Sequence, residues 1–162
     1  MQQREVITEY VRENQAALYR LAFGYARNRE AAMDIVQDAI VNALTHATSL
    51  RTIEAVRPWL YRILVNEALA HLRRNKRVYL VDELEDCLPA KERDLGEKID
   101  VYRAVQCLKP KLKTVVFLRF YEDMKFDEIA KVTGVPVSTV KSRLKKALEL
   151  LKEELGEKGG GI

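Results

Sequence analysis

The sequence predicts an all-α protein made of two small helical domains joined by an acidic linker. Apolar residues recur at helical spacing along nearly the whole chain, and strand signals are almost absent. Only 7 glycines and 4 prolines interrupt the 162 residues. Residues 78–98 carry 7 acidic and 3 basic side chains between two more basic blocks. We therefore expect a first domain at residues 1–77, a linker at 78–98 and a second domain at 99–162, with a flexible tail from Gly156 to Ile162.

The composition limits the class of protein but does not identify its binding partner. Apolar residues make up 48% of the chain, which is enough for real cores, and the net charge of +4 suits an anionic partner. Cys87 and Cys107 form no Cys-x-x-Cys pattern, so we expect free thiols in a reducing compartment, no metal site and no cofactor. No signal peptide and no apolar run of about 20 residues is present. These features predict a cytoplasmic protein.

The first two helices are expected at about residues 7–27 and from Arg29 onward. Asp34 and Asp38 of the second helix lie four positions apart and therefore side by side, with Gln37 between them on the outer face. Two carboxylates could hold a metal or serve in acid–base catalysis, but no third ligand or histidine stands nearby in the sequence. A mixed acidic and apolar face favours a protein-docking surface, and simple solubility is the alternative.

A third helix is predicted from Pro58, whose missing N–H is harmless in a first turn, to about Lys76. Tyr61, Leu64, Val65, Ala68 and Leu72 share one side of it and should face the core. Its outer face and basic end carry an aromatic, an amide and several guanidinium groups, which can stack on unpaired bases, read a base edge and bind phosphates. These residues are Trp59, Arg62, Asn66, Arg73, Arg74 and Arg77. The alternative is a partly buried Trp59 and a basic end that complements the helix dipole.

Residues 126–151 have the pattern of a helix-turn-helix. A helix over Phe126 to Thr133 is followed by Gly134, which can take a positive φ at the turn. Pro136 prevents helical continuation, and a second helix begins at Val137 or Ser138. This arrangement is typical of proteins that insert the second helix into the major groove of DNA.

The second helix of this motif has one apolar and one basic face. Val140, Leu144, Ala147, Leu148 and Leu151 form an apolar stripe that should pack on the first helix. Residues 131–152 contain six basic side chains and one acidic one. Hydroxyl and cationic side chains on the face opposite a core stripe can bind DNA phosphates and base edges. The predicted DNA-binding residues are Ser138, Thr139, Lys141, Ser142, Arg143, Lys145 and Lys146. The alternative is an ordinary solvated helix face.

In their order, these segments resemble the bacterial RNA polymerase sigma factors of the extracytoplasmic-function group. The matching pieces are DIVQDAIVNAL (34–44), RPWLYRILVNEALAHLRR (57–74) and the helix-turn-helix, with YRLAFGYARN (19–28) before them. The resemblance implies that the first domain binds the −10 promoter element and the polymerase clamp. The second domain would bind the −35 element and the polymerase flap.

The resemblance also implies roles for the faces described above. Asp34, Gln37 and Asp38 would contact the clamp, and Asn66 would help to hold a flipped base of the −10 element. The outer face of the third helix would follow that strand, and the basic face of the last helix would enter the −35 major groove. Implied partners are core RNA polymerase, promoter DNA and an anti-sigma protein of the kind that is membrane-bound in many relatives, with no small-molecule substrate.

Two other functions are compatible with parts of the sequence. A two-domain helix-turn-helix regulator could act without being a polymerase subunit, although it would usually need to dimerise and no heptad seam is visible. A nuclease could use Asp34 and Asp38, in which case replacing both would abolish metal-dependent turnover. The sequence favours a transcription initiation factor that is not an enzyme.

Overall fold

The computed structural model describes residues 2–75 and 101–158, with side chains up to Glu154. Within these ranges the chain forms eight α-helices and no strand, which confirms the all-α prediction. The helices are Gln2–Glu13 (α1), Gln15–Ala26 (α2), Arg29–Thr45 (α3), Val56–Arg74 (α4), Val101–Gln106 (α5), Pro110–Val116 (α6), Phe126–Thr133 (α7) and Val137–Lys158 (α8). Short 3₁₀ turns occur at Ala47–Ser49 and Ile53–Ala55, and a π-helical turn at Phe117–Tyr121.

The first predicted helix is in fact two helices, which meet at Asn14. The backbone of Asn14 leaves the helical region at φ −126° and ψ 25°. Its N–H donates to the carbonyl of Val11 at 3.2 Å, and its side-chain amide donates to the carbonyl of Tyr10 at 2.8 Å. These bonds satisfy the last carbonyls of α1, so the helix ends there although the apolar stripe continues.

The start of α3 agrees with the prediction and is fixed by two adjacent residues. Arg27 takes a left-handed φ of 65° and closes α2 through its N–H on the carbonyl of Phe23, 2.9 Å away. The side-chain oxygen of Asn28 then accepts from the N–H of Ala31 at 2.8 Å, which caps the first turn of α3.

Helix α4 is the central helix of the N-terminal module, which we define as residues 2–75. It contacts α1, α2 and α3. The five residues predicted to face the core, Tyr61, Leu64, Val65, Ala68 and Leu72, are all buried, as is Leu60. Their burial leaves Arg62, Asn66 and Arg73 exposed on the opposite side of the helix.

The C-terminal module, residues 101–158, consists of α5 to α8. Helix α8 continues to Lys158, so residues 156–158 are helical where the sequence predicted a flexible tail. Residues 159–162 lie outside the described residues, as do the predicted linker at 78–98, Arg77 and Cys87. Cys107 is disulfide-bonded, so the prediction of a free thiol is wrong for this residue. Sequence spacing does not report the distance between thiols in a fold, which decides whether they pair.

The two modules pack against each other and share one hydrophobic core. Helix α4 lies against α7, so the helix-turn-helix contacts the predicted −10-binding helix directly. The sequence analysis predicted two separate modules and did not predict this interface. None of the described helices has both the length and the apolar character that a membrane span requires.

Candidate nucleic-acid and polymerase interfaces

The helix-turn-helix forms at the predicted residues. Helix α7 ends at Gly134, which takes a left-handed φ of 75° and donates its N–H to the carbonyl of Ala130 at 2.8 Å. The carbonyl of Pro136 accepts from the N–H groups of Thr139 and Val140, both at 3.0 Å, and so opens α8. Ile129, Val132 and Val140 are buried between the two helices. This packing fixes the angle at which α8 projects from the module.

The outer face of α8 presents most of the predicted −35-binding residues to solvent. Exposed are Ser138, Lys141, Ser142, Lys145 and Lys146, while Thr139 and Arg143 are half-buried. The hydroxyl of Ser142 donates to the carbonyl of Thr139 at 3.1 Å. The face therefore offers cations and hydroxyls over about three turns of one helix, as phosphate and base-edge contacts require.

Leu148 departs from the predicted apolar stripe of α8. The sequence placed it in the core with Val140 and Leu144, but its side chain is 43% exposed. Together with Phe126 and Leu144 it lines an apolar groove. The Nζ atom of Lys141 lies 5.6 Å from the centre of the Phe126 ring at the edge of this groove. At 22 residues, α8 is much longer than α7, so its later turns extend past the helix on which the stripe packs.

The outer face of α4 presents Asn66, Arg73 and Arg74 to solvent, as predicted. Trp59 is half-buried and packs against the core, so the alternative reading of a partly buried tryptophan describes its position. Basic residues in the last turn of α4 complement the negative end of its dipole as well. Asn66 and Arg73 thus remain accessible to a ligand along this face.

Arg62 occupies a position that the sequence did not predict. Its Nη1 atom donates to the carbonyl of Lys131 at 3.3 Å, near the C-terminal end of α7. Its guanidinium also lies beside Gly134, where an added Cβ would come within 3.2 Å of Nη2. In this structure Arg62 therefore binds the helix-turn-helix, although it belongs to the face predicted to follow the −10 strand.

Asp34, Gln37 and Asp38 are all exposed on α3, on the surface predicted to dock on polymerase. Two large apolar side chains of the same helix, Met33 and Val41, are 53% and 64% exposed. Apolar and acidic groups therefore alternate on this part of α3. Exposed apolar side chains beside charged ones are typical of a protein-binding surface.

The carboxylates of α3 also act on the end of α4. Burial and the Arg74 guanidinium lower the pKa of His71, while Asp34 and Asp38 raise it, and the net shift is downward. Among the described residues there is no group of three His, Cys, Asp or Glu side chains that could hold a metal ion. Asp34 and Asp38 thus lie near His71 of the neighbouring helix, and among the described residues they are not part of a group that could hold a metal ion.

Sequence reasoning missed the residues that join the two modules. Glu122 is buried and accepts hydrogen bonds from Arg20 and Tyr61 of the N-terminal module. Gly24 lies in the middle of α2, where glycine weakens a helix, and it packs against Phe117. A glycine within an apolar helix is a signal in the sequence that could have pointed to this close contact.

Comparison with known proteins identifies two family regions in this chain. A family model described as Sigma-70 region 2 matches residues 10–78, and one described as Sigma-70, region 4 matches residues 98–151. The first covers α2 to α4 and the last turn of α1, and the second covers α5 to α7 and most of α8. The surfaces described above therefore fall inside these two regions.

Similar proteins match over nearly the full chain. RNA polymerase sigma factor SigV of Bacillus subtilis is 36% identical, over 94% of this chain and 92% of that protein. ECF RNA polymerase sigma factor SigM of Mycobacterium tuberculosis is 34% identical, over 98% of this chain and 82% of that protein. The solved structure of the sigma factor RpoE of Bartonella quintana, in complex with the anti-sigma factor NepR, has a TM-score of 0.69 at 21% identity. That match covers 90% of this chain and 94% of RpoE, and it shows a common fold.

Proposed function

Because the chain belongs to the sigma-70 family of RNA polymerase sigma factors, in the extracytoplasmic-function group, we propose which of its surfaces bind the promoter elements and which binds polymerase. As a member of the family it is an alternative sigma factor, which directs RNA polymerase to promoters. In our proposal residues 1–77 form the −10-binding domain, 78–98 the linker and 99–162 the −35-binding domain. The chain acts in initiation without catalysing a reaction, in the cytoplasm where bacterial transcription takes place.

The −35 element is bound by the outer face of α8. The observation that supports this assignment best is the helix-turn-helix itself, in which five hydroxyl or basic side chains lie opposite the buried stripe and two more basic side chains flank them. Lys145 and Lys146 contact phosphates, and Ser138, Thr139 and Ser142 lie at the end of α8 that enters the groove first. Lys141 and Arg143 flank this face. Lysine cannot form the bidentate contact of arginine with guanine, so Lys141 contributes mainly charge.

The −10 element is bound by the outer face of α4. Asn66 is exposed and can bond a base edge, while Arg73 and Arg74 attract the backbone of the separated strand. Trp59 and Arg62 lie on the same side nearer the start of the helix. We assign Arg77, which lies outside the described residues, to the same strand. Binding of an unstacked base offsets its unstacking, which costs a few kcal/mol.

Core polymerase and an anti-sigma protein are the proposed protein partners. The mixed acidic and apolar surface around Asp34, Gln37 and Asp38 docks on core polymerase. RpoE of Bartonella quintana was solved with an anti-sigma factor bound, and we extend this kind of partner to the present chain. Such a protein would compete with polymerase for the chain.

A transcription assay tests the proposed function. Purified protein is added to core polymerase lacking any sigma factor, with a library of genomic promoter fragments as template. We expect discrete transcripts that depend on the added protein. An Asp34→Ala/Asp38→Ala variant should lower their yield at limiting protein, whereas Glu30→Ala, an exposed carboxylate in the first turn of the same helix, should not. Absence of any transcript would contradict the proposal and favour a regulator that acts without joining polymerase.

A further inference from the structure

Cys107 is an exposed residue that takes part in a disulfide bond, and neither promoter recognition nor polymerase binding accounts for that bond. It lies directly after α5, and its N–H donates to the carbonyls of Arg103 and Ala104 at 3.1 and 3.2 Å. The N–H of Leu108 donates to the carbonyl of the buried Val105 at 3.0 Å. These bonds fix the backbone of Cys107 to the core of the C-terminal module.

The composition of the chain limits the partners of this thiol. Only one other cysteine, Cys87, is present in the sequence, and it lies outside the described residues, in the acidic segment between the two modules. Disulfides in the cytoplasm, the compartment given by the proposed function, are usually transient and have a catalytic or redox-sensing role. Since the chain is not proposed to catalyse a reaction, redox sensing is the role that remains.

The position of Cys87 sets how far apart the two modules can move once the bond has formed. In the reduced chain, residues 76–100 connect Asn75 to Val101, and a fully extended backbone of this length spans at most about 90 Å. In a chain with a bond from Cys87 to Cys107, the connection from Asn75 reaches the C-terminal module after only about 42 Å of extended backbone. The disulfide adds about 5.5 Å between the Cα atoms, so the connection is at most roughly 48 Å long.

The two promoter elements need a longer connection than the oxidised chain has. Elements centred at −10 and −35 lie about 25 base pairs apart, or about 85 Å along B-DNA. A compact module of the size of residues 2–75 or 101–158 has a radius of about 14 Å. The gap between two such modules centred on the elements is therefore about 57 Å. The reduced connection can span this gap, and the oxidised connection cannot.

We propose that Cys87 and Cys107 form a reversible disulfide that is a redox switch, because it shortens the connection between the modules and prevents them from binding both promoter elements at once. The oxidant is hydrogen peroxide. One thiolate attacks it, the O–O bond breaks, and a sulfenic acid and hydroxide form. The second thiolate attacks the sulfenic sulfur, which forms the S–S bond and releases another hydroxide.

The reaction balances without a further reagent. Each hydroxide takes up a proton that a thiol gave up, so the two thiols lose two electrons and the peroxide is reduced to two water molecules. A dithiol reductant reverses the reaction by thiol–disulfide exchange. The effect on promoter binding rests on the proposed function, whereas the pairing of the two cysteines does not.

Peptide mapping of the full chain tests the pairing. Wild-type protein is treated with hydrogen peroxide, the peroxide is removed, and the protein is digested without reductant. We expect a monomer in which one cross-linked pair of peptides joins Cys87 to Cys107, with a mass lowered by that of the two hydrogen atoms lost. Cys87→Ser and Cys107→Ser should each abolish the cross-link.

Transcription with sigma-free core polymerase tests the switch. Wild type that has been oxidised beforehand should give at least roughly tenfold fewer transcripts than the reduced protein, because a connection that cannot span two sites loses the gain from joint binding. Dithiothreitol should restore the yield, and the same oxidation should leave Cys87→Ser unchanged.

Two matched insertions test whether the length of the connection is the cause. About ten Gly and Ser residues inserted after Arg77 add about 35 Å before Cys87 and should restore transcription by the oxidised chain. The same insertion after Lys91 lies within the loop closed by the disulfide and should not restore it. Both insertion variants should be active when reduced.

Three results would overturn the proposal. One is a cross-link between two chains, or none, in the oxidised wild type. Another is full transcription by the cross-linked monomer, and the third is an equal effect of the two insertions on the oxidised chain. If the reduced wild type supports transcription with no template, the proposed function fails instead, and the peptide map still decides whether the two cysteines pair.

Discussion

At the scale of single residues, Gly134 shows how the backbone conformation at a turn restricts which residue type can occupy the position. Its φ of 75° is in the left-handed region, where a Cβ is unfavourable, and an added Cβ would also come within 3.2 Å of Arg62. The sequence predicted this turn because Gly134 and Pro136 together leave the chain few other conformations. The same reasoning missed the break at Asn14, since an asparagine side chain that bonds back to Tyr10 leaves no mark on the apolar pattern.

Gly134→Ala should lower the free energy of unfolding by about 1–2 kcal/mol, because alanine must adopt the left-handed conformation. Gly134→Asn should cost less, since asparagine tolerates that region. Urea denaturation followed by circular dichroism measures both values. Equal stability of the alanine variant and the wild type would show that the turn does not need glycine.

At the scale of helices, the period of apolar residues was enough to predict α3, α4, α7 and the start of α8. It failed for Leu148, because the pattern identifies a stripe but not where the neighbouring helix ends. It also could not separate half-buried Trp59 from the exposed Asn66 on one face. These distinctions depend on which helix packs against which, and a single helix does not contain that information.

The last helix should govern the salt dependence of DNA binding. Lys145→Ala/Lys146→Ala removes two cations from the outer face of α8. Each phosphate contact contributes about 0.9 to the slope of log affinity against log salt, so the slope for the holoenzyme should fall by about 2. Fluorescence anisotropy with a promoter duplex measures it. Lys152→Ala, further along the same helix, is the control and should leave the slope unchanged; an equal fall there would contradict the assignment.

Packing at the end of α4 predicts a pH dependence of stability. Burial and Arg74 lower the pKa of His71 below the ordinary value of 6.5, so the unfolded chain binds a proton more readily than the folded one. Stability should therefore be fully present above about pH 6.5 and should fall as the pH drops through that value. His71→Gln should flatten this part of a melting-temperature profile. His46→Gln, at an exposed position, should leave it as in the wild type.

At the scale of the whole molecule, the interface between the modules was the part that sequence reasoning could not predict. Residues such as Phe117 and Val116 lie at helical spacing and look like any core residue, so their pattern does not tell whether they pack within a module or across two. Glu122 likewise looks like one more surface carboxylate in the sequence. Only the fold brings Arg20, Arg57 and Tyr61 around it.

The interface combines a charged network around Glu122 with a dense apolar contact between Phe117 and Gly24, and the buried Glu122 depends on its partners across the interface. In the proposed function, core polymerase holds the two modules at the spacing of a promoter, which the chain cannot do while they are packed together. Two modules held in this way would act at high effective concentration on DNA, although each is proposed to contact only a short element.

A footprint of the reconstituted holoenzyme tests this account most directly. Hydroxyl-radical cleavage of a promoter should show two protected patches about 25 base pairs apart. Lys145→Ala/Lys146→Ala should weaken the upstream patch alone, and Asn66→Ala the downstream patch alone. A single continuous patch, loss of both patches in either variant, or the same two patches with the sigma factor in the absence of polymerase would contradict it.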